Sequence, residues 1–435
     1  MSKKNVKQHY IAEGGPFYKS IAECYSAVSG DGLHKFRSAA WKSFCCKGLP
    51  SGSTTEFKGV PLRDLYKSSY SNVYSKEAHA EEILEGIFPE CSDSVLLFVD
   101  GAYSPRLSKI GALHEGVIIA PLEEAFKRYA AFFRGHIKNL DNEEDPFVLL
   151  NGAFAGDGVF IYIPPDVSVD VPLHVLMTTK SDVTMTFPRV HLFAGRNSSV
   201  TLYTHTNNSA SDSFASGVHD FVVDAGARVH HIMTSSKNAS WQFESVRARV
   251  KKDGIFKSIT VVDSGSCVRY DSEVILEEDN AAAYCSGGWL LEGNDGVYIN
   301  NIVDHRAPST VSRQLYKGVC NDASRSSFVG KVIVGSEAHD TDARQENKNI
   351  LLGDDAIADI FPSMEIFADD VKASHGATVG ALDDEEIFYL RSRGLSLSEA
   401  RSLLVYGFNK EVLDFIPLDS LRRVLEDKAR RFISS

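Results

Sequence analysis

The chain lacks every cysteine arrangement that builds a metal site by itself. Its 435 residues hold seven cysteines, Cys24, Cys45, Cys46, Cys91, Cys267, Cys285 and Cys320, with no Cys-x-x-Cys pair. The count is odd and the spacing irregular. That argues against a disulfide framework, a self-contained zinc site and a four-cysteine cluster site, and leaves reduced, mostly buried thiols. Long apolar runs are missing too. "VLLFV" and "GVIIAPL" fall far short of the roughly 20 residues that cross a bilayer. The polar, basic start "MSKKNVKQHYIAEGG" has no apolar stretch and does not read as a secretory signal. Positive charge is not in excess either. A net charge of -12 disfavours nucleic acid or an anionic membrane as the main partner. The expectation is a soluble, intracellular protein, and with 43% hydrophobic residues it can build a large core and two or three domains.

Familiar catalytic signatures are absent as well. No G-x-x-x-x-G-K-[ST] occurs; "SFVGKVIVG" has Gly-Lys without the loop glycine and hydroxyl, so a P-loop nucleotide site is excluded. There is no H-E-x-x-H, no G-x-S-x-G and no G-x-G-x-x-G. "NGAFAGDGVF" is glycine-rich but leads into a strand, which does not cradle phosphate as a helix start does.

What is present divides into three textures. Residues 1–150 mix helix and strand signals: "SIAECYSAV", "SAAWKSFCCKGL", "EEILEGIF" and "PLEEAFKRYAAFF" read as helices, "LPSGSTTEFKGVPL" as a loop, "SVLLFVDGAYSP" as a strand entering a glycine turn. Over 151–381 the helix signal nearly vanishes. Short strands alternate with turns at Gly195, Gly226, Gly254 and Asn280, about 25 to 30 residues apart, the pattern of stacked coils in a β-solenoid. A large antiparallel sandwich is the alternative, but it would show tight hairpins, for which "EGNDGV" is the only close candidate. Residues 382–435 turn helical. "DDEEIFYLRSRG" ends at Gly394, "SLSEARSLLVYGF" opens with the capping-box pair Ser396 and Glu399, and "LDSLRRVLEDKARRFI" sets Leu418, Leu421, Leu425 and Phe432 near one face. Such a tail either caps a solenoid or docks a partner.

Candidate chemistry is sparse. His230 and His231 are adjacent in a strand and so face opposite sides, which prevents easy chelation of one metal. Asp304 and His305 form a pair that a turn explains more simply. Asp263, Asp304 and Asp340 could line a cleft as in β-helix carbohydrate-active enzymes, a poor fit to a chain without a signal sequence. His375, in "VKASHGATVG", stands among small residues that permit close approach. A neutral imidazole is a competent iron ligand, although its neighbours alone favour a structural histidine.

Three long stretches change that weighting. "DHRAPSTVSRQLYKGVCNDASRSSFVGKVIV", "ARQENKNILLGDDAIADIFPSMEIFADDVKASHGATVGALDDEEIFYLRSRGLS" and "ARSLLVYGF" closely resemble the SufB/SufD family of iron–sulfur cluster assembly proteins. The likeness is dense over about 300–410 and continues in "KGLPSGSTTEFKGVPLRDL". It implies a mainly β fold, a right-handed parallel β-helix over 151–381 between an N-terminal α/β region and a C-terminal helical region. "QENKNILLG" places Asn347 or a neighbour where SufB members carry cysteine, and "HGAT" replaces their His-Glu-Ala-Thr; both differences resemble the SufD branch. The resemblance implies a non-enzymatic scaffold subunit in which His375 faces a cysteine of a SufB-like partner and shares a transient iron–sulfur cluster. Ser374, Asp369 and Asp370 are candidates to orient the ring. It also implies a SufC-like ATPase docked on the helical tail, near Phe388, Tyr389, Tyr406 and Phe408, and a homodimer is open to the chain when alone. SufD sequences commonly read Cys-Ser-His where this chain has Ala373, Ser374 and His375. A subunit that only braces its partners, with His375 packed, is the competing reading. The lack of a Ser-rich, acid-poor transit segment favours a bacterial cytoplasm over a plastid.

Overall fold

A computed structural model describes residues 10–11, 15–28, 32–71, 86–111, 113–133, 140, 142–156, 158–210, 212–236 and 240–433. From residue 158 to 380 the chain winds through about eight coils, each giving one strand to each of two facing sheets. The first sheet begins with Gly158–Ile163 and Arg189–Ala194 and ends with Arg325–Val334 and Ile357–Ile366; the second begins with Leu173–Thr179 and Ser199–Asn208 and ends with Asp342–Leu351 and Lys372–Gly380. Every strand pairs in parallel with its equivalent one coil away, as Leu202 with His231 and Gln314 with Gln345. The register returns about every 30 residues, as the turn spacing predicts. Inward positions such as Val190, Leu192, Val223, Val250 and Leu276 are buried; each contributes about 1.5–3 kcal/mol.

The corners explain the turn chemistry. One corner in each coil is a residue in the left-handed region: Asn197 (φ 57), Asp253 (φ 56), Asn280 (φ 59) and Asp340 (φ 55). Asn and Asp tolerate that conformation better than other side chains. The corners stack: the N–H of Asn197 donates to Ala225, and that of Asp253 to Asp279 one coil on, at 2.9 and 3.0 Å. Of the four turn residues read from sequence, Gly226 and Asn280 are themselves left-handed; at Gly195 and Gly254 the neighbouring Asn197 and Asp253 take that role. "EGNDGV" is no hairpin, because it joins a strand of the second sheet to one of the first.

Helices cover both outer flanks. On the first sheet lie α1 (Pro16–Ser26), α2 (His34–Lys47) and a short α3 (Leu62–Leu65), followed in the chain by α4 (Leu122–Arg128) and α5 (Pro146–Ala153). Asp145 caps α5 by accepting the Phe147 N–H at 2.7 Å, and Pro146 opens it. Phe17, Phe36, Phe44 and Phe147 form one apolar layer with Phe187, Phe214 and Phe243 of the sheet region. "PLEEAFKRYAAFF" is broken at Tyr129 rather than continuous, and most of the helix expected in "EEILEGIF" lies outside the described residues.

On the second sheet lie α7 (Leu397–Leu413) and α8 (Asp419–Arg431), preceded by α6 (Asp384–Ser392), which packs on α7. Ser396 and Glu399 form the reciprocal capping box, and Gly394 (φ 99) ends the turn after α6. Leu413, Ile416, Leu421 and Leu425 pack on Ile232, Ile259 and Val261. The tail therefore lies along the flank and does not cap the solenoid, one of the two roles its sequence allowed. The apolar stripe of α8 finds its complement in outward aliphatics of the middle coils, not in the last coil.

The two ends differ. At the first, Ser94–Val99 adds to Leu173–Thr179 and Ile118–Pro121 to Gly158–Ile163, closing the core. At the last, Ile357–Ile366 and Lys372–Gly380 are the terminal strands of their sheets, and all nine residues of the latter are exposed.

Candidate functional site

His375 lies at the fourth position of that exposed terminal strand, in register with Gln345. Strand alternation fixes its direction. On the preceding strand Ala343, Gln345, Asn347 and Asn349 are buried while Arg344 is exposed, so their partners Ala373, His375, Ala377 and Val379 face the solenoid axis. Across the axis the last coil presents Ala358, Ile360, Pro362, Met364 and Ile366, partners of the inward Ser326, Phe328, Gly330, Val332 and Val334. His375 is thus the one polar group on the inward face of an apolar mouth, among the described residues. Phe367 at 66% and Val379 at 46% exposure rim it. A long exposed edge leaves its backbone groups unpaired and its apolar side chains uncovered.

His375 also terminates an inward column that changes character along the axis: Leu173, Leu202, His231, Ser258, Cys285, Gln314, Gln345, His375. The column is aliphatic at the closed end and polar toward the open one. Directly beneath the mouth sit three buried amides, Gln345, Asn347 and Asn349. Gln345 Nε2 donates to Gln314 Oε1 at 3.2 Å, and Asn349 Nδ2 to Asn347 Oδ1 at 2.7 Å. Two glycines make room for them: a Cβ on Gly330 would overlap the Gln345 amide, and one on Gly318 would overlap Asn349 and Trp289.

The other sequence candidates do not join His375. Ser374 points to the opposite face of the strand. Asp369 and Asp370 lie in the turn before it, about 16 Å of extended chain away. His231 is buried inside the solenoid and His230 faces outward, as the alternation required. His305 is bonded to Thr310 and Ser312 at 2.8 Å each, while Asp304 pairs with Arg306, so the acid does not orient that ring. Asp263 pairs with Lys428, and Asp340 occupies a corner; the three acids do not face one cleft. Asn347 is buried under the mouth, and Ala373 shares the inward face with His375. The amide floor escaped sequence reading, although Gln-x-Asn-x-Asn at period two carried the signal.

The thiols offer no local completion. Burial pushes Cys285 and Cys91 up to about 12 and raises Cys320 and Cys267 as well, which disfavours the thiolate form that binds metal. Cys45 and Cys46 are exposed on α2, on the other flank. No group of three or more His, Cys, Asp or Glu able to hold a metal occurs among the described residues.

A charged cleft of about 320 Å³ lies on the first sheet's outer face beside Arg189, Asp220, Arg247 and Glu273. Its groups serve one another. Arg247 pairs with Glu143 at 2.9 Å and Asp271 at 2.6 Å, and Arg269 pairs with Asp145 and Asp271 at 2.7 and 3.0 Å. Burial works against the Asp271 charge, but Arg247 and Arg269 outweigh it and hold the carboxyl below its usual range. The cleft is an ionic latch between the N-terminal region and the sheet.

Residues 176–408 match the family described as "SUF system FeS cluster assembly, SufBD core domain", and residues 4–175 match "SufBD protein N-terminal region". The chain belongs to the SufBD family and is a SufD-like member. It is 27% identical to the iron–sulfur cluster assembly protein SufD of Escherichia coli over 385 residues, 86% of this chain and 87% of that one. An iron–sulfur cluster assembly SufBD family protein of Synechocystis is 29% identical over 350 residues, 77% of this chain and 76% of its own. Protein ABCI7, chloroplastic, of Arabidopsis thaliana is 25% identical over 445 residues, 96% and 90%. None of the three names is that of an enzyme. No helix among the described residues of this SufD-like chain is long and apolar enough to cross a membrane.

Proposed function

We propose that this chain is the SufD-like, non-catalytic subunit of a cytoplasmic iron–sulfur cluster assembly scaffold, and that His375 lends one ligand to a cluster forming at the open end of the solenoid. The observation that carries this reading is the terminal strand Lys372–Gly380, exposed along its whole length with His375 on its inward face. The mouth holds one imidazole and no thiol, so it fits part of a coordination shell. Thiolates must come from a second chain, a SufB-like subunit whose strands extend the two sheets and whose cysteine meets His375. The cluster is cargo, and a ligand set divided between two chains lets it leave when the interface opens.

The tail supplies a second docking surface. Tyr406 and Phe408 are committed to packing: Arg430 stands over the Tyr406 ring at 4.2 Å and Lys317 over Phe408 at 4.7 Å. Phe388 and Tyr389 on α6 are 75% and 55% exposed. Large exposed aromatics anchor interfaces, and we assign this patch to a SufC-like ATPase that supplies the energy this chain has no P-loop to harvest. Cross-linking that places the ATPase on the N-terminal helices instead removes the assignment.

The decisive experiment is anaerobic reconstitution of the three-subunit complex with iron and sulfide. His375→Ala should abolish bound cluster while the complex still co-purifies. A wild-type iron and sulfide content in that variant would leave the chain as a structural brace only.

A further inference from the structure

Resting on the ligand reading above, we infer that the exposed His375 ring, which makes no hydrogen bond to Gln345 in this structure, rotates to donate its N–H to the Gln345 side-chain carbonyl and so leaves the other ring nitrogen free to bind metal. The argument starts from the direction of the amide ladder. Gln345 Nε2 donates backward along the axis, to Gln314 Oε1 of the preceding coil. The amide carries its nitrogen and oxygen on two branches of one carbon, so with the nitrogen engaged there the oxygen is left for a different donor. That oxygen is buried, on a side chain only 2% exposed, and it accepts from no donor among the described residues. A buried carbonyl left without a donor costs about 1–3 kcal/mol.

The next coil offers few ways to satisfy it. The in-register neighbour of Gln345 is His375, on a strand about 4.8 Å away. The remaining inward side chains of that coil, on either sheet, are apolar. Gly330, lacking a Cβ, clears the space that the Gln345 amide fills on the far side of the interior. The competing donors are Asn347 Nδ2 on the same strand and Gln314 Nε2 on the preceding coil, both also buried without an acceptor. A neutral imidazole has one N–H and one lone pair, and metal-binding histidines regularly donate the N–H to a carbonyl or carboxylate, which sets the tautomer and the ring angle. Gln345 is thus a positioning residue: the imidazole continues the ladder of amide donors and turns its lone pair out of the mouth.

The test reads the ring directly. In the full chain labelled with ¹⁵N-histidine, long-range NMR correlations should show a single protonated ring nitrogen for His375. Gln345→Leu should give a mixture of tautomers, and Gln345→Glu, which keeps an acceptor in place, should restore one. Gln345→Met substitutes for the leucine variant if thermal unfolding shows that it does not fold. In the iron-loaded complex, the leucine variant should bind iron about 10- to 100-fold more weakly, with the glutamate variant near wild type. Ring signals that ignore the leucine substitution overturn the inference and give the Gln345 carbonyl to Asn347 or Gln314. A ring that responds, in a complex whose His375→Ala variant keeps its iron, would uphold the hydrogen bond and defeat the ligand reading instead.

Discussion

At the first end of the solenoid the strand Ser94–Val99 lies parallel on Leu173–Thr179, and every residue in it is buried. At the last end Lys372–Gly380 lies parallel on Asp342–Leu351, and every residue in it is exposed. The backbone geometry is the same; only the covering differs. A parallel stack is satisfied internally everywhere except at its two edges, and this chain covers one edge itself and leaves the other open. The interior follows the same gradient. Leu173 and Leu202 start the His375 column where the core is sealed, and Gln314 and Gln345 lead it where the core meets the mouth.

Acid should break the comparison most strongly, because it acts on the covered region and spares the open one. Burial holds the His174 and His205 rings neutral, down to about 3 and about 4, with the charges of His205 and Lys428 respectively adding to the effect. Their unfolded value is near 6.5. A base depressed on folding contributes its stability in full above the unfolded value and loses it as pH falls toward the folded one. Unfolding free energy should therefore drop between pH 6.5 and 4, by about 3 kcal/mol or more per ring, read by urea unfolding at each pH. His174→Phe and His205→Leu should flatten that slope. A slope unchanged by both would place the acid sensitivity elsewhere.

Next in size is a core truncation at the closed end. Phe98 is fully buried against Tyr103, with ring centroids 5.4 Å apart. Phe98→Ala should cost about 3–5 kcal/mol in thermal or urea unfolding, whether or not a partner is present. The smallest stability effect, and the sharpest contrast, belongs to the open end. Val379→Asp should change the stability of the isolated chain by no more than about 0.5 kcal/mol. The same variant should lose co-purification with the SufB-like subunit, because it buries a charge in the docked mouth. If it unfolds the isolated chain instead, the end is not open.

Much of this was legible in the sequence because the signals were local. Gly226 and Asn280 mark corners by their own backbone preference, Gly195 and Gly254 only by lying beside Asn197 and Asp253, and Ser396 and Glu399 mark the start of α7 by a reciprocal pair of hydrogen bonds. Where the tail packs was not legible: the stripe of Leu418, Leu421 and Leu425 says that α8 needs an apolar surface, not whether a flank or an end provides it. His375 could be singled out by its small neighbours and by resemblance. Its direction needed the register, because a shift of one residue would turn it outward with Ser374. The amide floor depended on the same fact: Gln345, Asn347 and Asn349 look like a polar surface strand until Gly318 and Gly330 are seen to clear space for them inside.

The most direct test of the central claim asks whether the His375 ring touches the cluster. The complex is assembled with this chain labelled in ¹⁵N-histidine, loaded with iron and sulfide under anaerobic conditions, reduced, and studied by pulsed electron paramagnetic resonance. A ¹⁵N coupling to the cluster that disappears in His375→Ala is the predicted result. A cluster of normal yield that shows no coupling to histidine of this chain would contradict it.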